Sequence, residues 1–228
     1  MIFTLPNKQI EISAALFDLD GTLVETQIDF PKCSKAIISL AVQYKIDARE
    51  FVGKDAMAII YCCEELLEAR DGVEAAEEFR AECFKTLEAI EAQPCENAVV
   101  IPGAVIALES LREGGVKIGI VTRNSSRAAA QIAARCGLAF DALVGRDDVA
   151  RAKPNPAHLW RALEILGEPA GASIMTGDHW MDVQSGQLAG CAATIGLLGN
   201  RESSWFEQIT PDIVVRDINE AFLICWKH

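Results

Sequence analysis

Two aspartates one residue apart, Asp18 and Asp20, follow the apolar run Ala14 to Phe17 in "AALFDLDGTLVET", residues 14–26. Side chains two apart on a strand share a face, so these carboxylates would meet with like charge beside a buried sheet. Such a pair suits phosphoryl transfer through a covalent intermediate. One carboxylate attacks phosphorus and splits a difficult displacement into two easier ones. The second protonates the departing alkoxide and then activates water. Because substrate and nucleophile are both anionic, that chemistry calls for a hard divalent cation with oxygen ligands, of which Mg²⁺ is the type. It also calls for a lysine and a hydroxyl on the phosphoryl oxygens. The chain carries these groups: Thr122, Arg123 and Asn124 in "IVTRN", Lys153 in "RAKPNP", and Asp178 and Asp182 in "GDHWMD".

Each group also has a plain structural reading. Asp20-Gly21 between alternating apolar residues is a strong hairpin signal, but no partner strand follows it, only a long helical segment. Thr122 and Asn124 serve as helix caps elsewhere in proteins, and most lysines are solvated. Asp178 and Asp182, if a helix begins at Asp178, share one face near its N-terminus, where negative charge is mildly favourable. The plain readings fail together rather than singly.

The elements that must position these residues are legible from apolar spacing. From about residue 27 to 97, "CSKAIISLAVQYK", "DAMAIIYCCEELLEAR" and "VEAAEEFRAECFKTLEAIEAQ" repeat apolar residues at three and four, the mark of amphipathic helices. From about Val99, helices alternate with short β-rich runs at 116–122, 140–145, 172–177, 191–197 and 211–215. That alternation predicts an α/β fold: a Rossmann-like, doubly wound parallel sheet. The expected division is a core of residues 1–25 and 99–228 with an all-helical domain, 26–98, inserted after the first loop. The run "MIFTL" reads as an additional edge strand, with "PNK" as a turn. In open parallel sheets, ligands bind beyond the C-terminal strand ends, which is where Asp18, Thr122, Lys153 and Asp178 fall.

Composition narrows the partners. The 228 residues carry a formal net charge of −12, which argues against a general nucleic-acid or anionic-membrane surface. No apolar run approaches a membrane span, and "MIFTLPNKQIEIS" lacks a secretory signal's basic start and apolar core. The eight cysteines are scattered without a C-x-x-C pair, which suggests reduced thiols in a cytoplasmic protein rather than disulfides or zinc.

In order, "DLDGTLV" at 18–24, "IVTRN" at 120–124, Lys153 in "AKPNP" and "GDHWMD" at 177–182 resemble the four motifs of the haloacid dehalogenase superfamily. The helical block resembles that superfamily's helical cap, as in phosphoglycolate phosphatases and β-phosphoglucomutases. The resemblance implies Asp18 as nucleophile and Asp20 as general acid and base. It implies Mg²⁺ held by Asp18, Asp178 and the backbone carbonyl of Asp20, with Asp182 acting through the metal's water shell. Thr122, Lys153 and the amide of Arg123 would bind the phosphoryl group. Lys54, in a cap loop "FVGKDAM" resembling one that reaches the active site in relatives, is a candidate substrate contact. The implied activity is a Mg²⁺-dependent phosphatase acting on a small phosphorylated metabolite.

Arg123, His179 and Trp180 depart from the smaller residues usual at those positions. Arg123 either favours a second anionic group or is a solvated helix-start residue; His179 either modulates proton transfer or packs. A phosphomutase would use the same Asp18 and Asp20. A true dehalogenase needs neither Asp20 nor a metal, and a phosphonate hydrolase would need a Schiff-base lysine such as Lys54. A non-catalytic binding module on the same fold is the remaining alternative.

Overall fold

The computed structural model describes residues 1–5, 8–51 and 53–225. Two compact units emerge, Met1–Thr26 with Ala98–His228, and Gln27–Asn97.

In the first unit, β1 (Ile2–Leu5) and β2 (Lys8–Glu11) form a two-stranded antiparallel ribbon. The expected edge strand therefore exists but pairs with its own neighbour instead of joining the main sheet. Pro6 and Asn7 of the expected turn lie outside the described residues. Next comes β3 (Ala14–Phe17), the centre of a six-stranded, wholly parallel sheet. Its four residues are all buried, because helices cover both faces and leave no solvent side on which polar residues could alternate. A second short ribbon, β4 (Val24–Glu25) against β5 (Val99–Val100), ties together the points where the chain leaves and re-enters this unit.

The remaining sheet strands are β6 (Lys117–Val121), β7 (Ala142–Val144), β8 (Ser173–Gly177), β9 (Ala193–Leu197) and β10 (Ile213–Val215). The order is β10-β9-β8-β3-β6-β7, so the chain winds outward from β3 through β6 and β7, then returns to β8 on the other side. The reversal falls between β3 and β8, the place where an open sheet leaves a ligand crevice. The helices of this unit are α4 (Ala104–Glu113), α5 (Ser126–Arg135), α6 (Ala157–Leu166) and α7 (Trp180–Ala189) between strands, and α8 (Ile218–Cys225) after β10. One core cluster joins Ala14, Leu16 and Met175 of the sheet to Leu159, Ala162, Leu163 and Leu166 of α6. Gly119 is fitted to it, since a Cβ there would come within 2.5 Å of Leu16 Cδ2.

The second unit is helical throughout its regular structure: α1 (Phe30–Gln43), a 3₁₀ turn, α2 (Ala56–Asp71) and α3 (Val73–Glu96). Asp29 and Asp55 cap the first two, their carboxylates accepting from Lys32 N and from Met57 and Ala58 N. Ile37, Ile60, Leu67, Phe79, Cys83 and Leu87 recur at helical spacing and are buried. Tyr44 packs edge-on to Phe79 at 5.0 Å, and a Glu64–Arg80 ion pair links α2 to α3. Cys33, Cys62, Cys63, Cys83, Cys95, Cys136 and Cys191 are free thiols. No helix among the described residues is long and apolar enough to cross a membrane.

Candidate active site

The carboxylates sit where the parallel register places them. β3 and β8 pair Phe17 with Thr176, and Asp18 N donates to Thr176 O at 2.9 Å, so Asp18 and Asp178 emerge side by side from adjacent strands. One oxygen from each of Asp18, Asp178 and Asp182 lies within 4.8 Å of the others, and all three residues are buried. Asp178 precedes the helix that follows it rather than starting it, a correction to the shared-face reading. His179 is the N-cap of α7, its Nδ1 accepting from Met181 N, and Asp182 closes a capping box by accepting from His179 N at 3.0 Å.

Lys153 enters from the loop before α6. Its Nζ lies 2.6 Å from Asp18 Oδ1 and 2.6 Å from Asp182 Oδ1, with the residue 2% exposed. The solvated-lysine reading is thereby excluded. Burial alone would lower the ammonium pKa, but the two carboxylates outweigh it and raise the value. The loop is fixed from behind by His158, fully buried, whose Nδ1 accepts from Lys153 N while Nε2 faces the carbonyls of Val144 and Gly145. Burial, with Lys153 adding to it, pushes the His158 pKa down to about 3, so the ring is neutral.

Asp20 has a different setting. Thr26 Oγ1 donates to its Oδ1 at 2.7 Å and Asn124 Nδ2 to its Oδ2 at 3.2 Å. Burial, then the Asp18 charge, lifts its pKa to about 6 against those hydrogen bonds. Asp18 is raised to about 6, chiefly by burial and against Lys153. Asp178 is raised to about 7 by burial and by its two carboxylate neighbours. In all three acids burial is the main cause, with neighbouring carboxylate charge adding to it.

The donor set fits a hard cation: three buried carboxylates converge, with oxygen as the only ligand atom they offer. Gly21 lets the first loop close against the Asp178 carboxylate, since its φ of +82° and a Cβ 2.4 Å from Asp178 Oδ2 both exclude a side chain. Asp182 is already committed at both oxygens, to Lys153 and to His179 N, which favours an indirect role.

A model of the haloacid dehalogenase-like hydrolases matches residues 12–190. The chain belongs to this family. The hydrolase is 31% identical over 215 residues to a pyrophosphatase PpaX from Halalkalibacterium halodurans, covering 92% of this chain and 94% of that one. It is 28% identical over 193 residues to a phosphoglycolate phosphatase from Aquifex aeolicus, covering 81% and 84%. A solved structure, a predicted phosphoglycolate phosphatase from Haemophilus somnus, shares the fold with a TM-score of 0.63 at 21% identity, covering 93% and 96%. The family and the phosphatase names of these relatives agree with an enzyme of the phosphoric monoester hydrolase class.

The other sequence candidates of the hydrolase are placed as follows. Thr122 is buried just past β6, its Oγ1 accepting from Asn124 N at 3.1 Å, which leaves the hydroxyl proton available. Arg123 is half-buried, not solvated, with Nη1 3.0 Å from Met181 Sδ. Lys54 is exposed within the helical unit, its Nζ 3.6 Å from Cys62 Sγ. Four residues escaped the sequence reading: Thr26 beside Asp20, His158 behind Lys153, and Arg201 with Trp205 at Asp178. Arg201 Nη2 lies 2.8 Å from Asp178 Oδ2 and Nη1 3.2 Å from Asp178 O, and Trp205 Nε1 donates to that same carbonyl at 2.9 Å. Arg201 follows β9, so the rule that sites gather beyond strand ends applies to it as well. The sequence offers no sign that its partner lies beyond β8.

Proposed function

We propose that this hydrolase is a Mg²⁺-dependent phosphatase that hydrolyses a small phosphorylated metabolite, a phosphoglycolate-like or sugar-phosphate-like monoester, through an aspartyl phosphate on Asp18. The observation that carries the reading is Lys153, buried and shared between Asp18 and Asp182 at 2.6 Å each. A lysine so placed holds the nucleophile ionised and offsets the charge of an arriving phosphoryl group.

In the first step an Asp18 oxygen attacks phosphorus, the ester P–O bond breaks, and Asp20 gives its proton to the departing alkoxide. In the second, Asp20 takes a proton from water as the water oxygen attacks phosphorus, releasing inorganic phosphate and restoring Asp18. A carboxyl pKa near 6 lets Asp20 serve in both directions close to neutral pH, and Thr26 and Asn124 fix its orientation. Thr122, Lys153 and the amide of Arg123 bind the phosphoryl oxygens. Bound Mg²⁺, held by Asp18, Asp178 and the carbonyl of Asp20 with Asp182 behind a water, would supply positive charge to the phosphoryl group. Lys54 is proposed as a substrate contact from the helical unit.

The test is phosphate release from a panel of esters, including phosphoglycolate, sugar phosphates and pyrophosphate, with Mg²⁺ and with chelator. Release that requires Mg²⁺ supports the reading; undiminished turnover in chelator contradicts it.

A further inference from the structure

We propose that Arg201 is a built-in counter-cation of the metal site, which holds Asp178 when no metal is bound and weakens divalent-cation binding by drawing on the same carboxylate. The inference rests on the metal reading above and concerns a residue that reading does not use.

Arg201 is held for this task by more than its ion pair. Its guanidinium grips both the carboxylate and the backbone carbonyl of Asp178, and lies 4.7 Å above the Trp205 ring. Trp205, in the short 3₁₀ turn Ser203–Phe206, donates to the same carbonyl and packs edge-on to His179 at 5.7 Å. The charges of the converging groups then decide the effect. Asp18, Asp178 and Asp182 bring three negative charges, and Lys153 with Arg201 brings two positive ones. Arg201 thus cancels one of the carboxylate charges that would otherwise attract an entering dication. Cation affinity at oxygen sites follows the charge of the ligand set, so Arg201 lowers it. The Arg201 side chain is 38% exposed, so it can swing toward solvent as the metal enters, and solvent screening keeps the effect modest.

The experiment is calorimetric titration of Mg²⁺, and in parallel Mn²⁺, into metal-stripped wild type, Arg201→Gln and Arg201→Lys. Arg201→Gln is expected to bind about tenfold more tightly, the order of effect expected from removing one partly screened positive charge beside a dication. Arg201→Lys, which keeps the charge, is expected to stay near wild type. Metal-free Arg201→Gln should also melt lower than wild type and gain more from Mg²⁺. Arg201→Met is a second neutral variant with the same expectation should the glutamine protein not fold. Equal or weaker binding in a neutral variant, with Mg²⁺-dependent phosphate release intact in the wild type, overturns the counter-cation role alone. Absence of Mg²⁺ binding in the wild type overturns it together with the metal reading.

Discussion

Asp18 and Asp20 are two residues apart yet answer to different partners, and their roles divide accordingly. Asp18 is paired with the buried Lys153 ammonium, which suits an ionised nucleophile; Asp20 is held by a hydroxyl and an amide, which suits a group that gains and loses a proton. Asp20→Ala is therefore expected to slow turnover by about 10²–10⁴-fold while leaving Mg²⁺ affinity nearly unchanged, measured by initial rates and by titration. Lys153→Ala strips two buried carboxylates of one cation. It is expected to lower stability by about 3–5 kcal/mol in urea unfolding, a loss that added Mg²⁺ partly restores. The aspartates and Lys153 were legible in the sequence because their types and order are unusual. Arg201 was not, because an arginine after a strand is ordinary until the register shows which carboxylate it meets.

At the scale of elements, the loop after β3 works because Gly21 lets it turn tightly against Asp178. Gly21→Ala forces a side chain into φ +82° and onto the carboxylate. The expected outcome is a loss of about 1–3 kcal/mol in denaturant unfolding, together with weaker Mg²⁺ binding. Ser125 caps α5 by accepting from Ala128 N, and Ser125→Ala is expected to cost about 1 kcal/mol without changing metal affinity. The buried parallel strands were readable as short apolar runs between helices, and Gly167 ends α6 in the left-handed conformation. The β4–β5 ribbon was not readable, since two residues on each side are too few to show a period. The N-terminal run was readable as a strand, but not which partner it would choose.

At the scale of the whole molecule, the acidic cluster couples stability to pH and to metal. Asp18 and Asp178 are raised above the ordinary carboxylate value of 3.8, to about 6 and about 7. The folded metal-free protein thus binds more protons than the unfolded chain between about pH 4 and 7. Its stability from these groups is present at acid pH and is lost as pH rises through that window. His158 runs the other way: lowered to about 3, it favours the folded state at neutral pH and loses that contribution as pH falls from about 6.5 toward 3. Comparing the melting curves with and without Mg²⁺ separates the metal-dependent part of this pH response from the rest. The increase in melting temperature on adding Mg²⁺ is expected to be small near pH 5 and to grow through pH 7, measured by calorimetry at fixed Mg²⁺. A shift independent of pH would mean that the cation does not bind at these acids.

The central claim is that Asp18 carries the phosphoryl group. The most direct measurement is acid quenching of the enzyme during turnover of an ester that the panel identifies, followed by mass spectrometry of the peptide spanning residue 18. Wild type, and more strongly Asp20→Ala, is expected to show one phosphoryl group on Asp18 that hydroxylamine removes, and Asp18→Asn to show neither the adduct nor phosphate release. A phosphoryl group on any other residue, or full turnover by Asp18→Asn, would contradict the account.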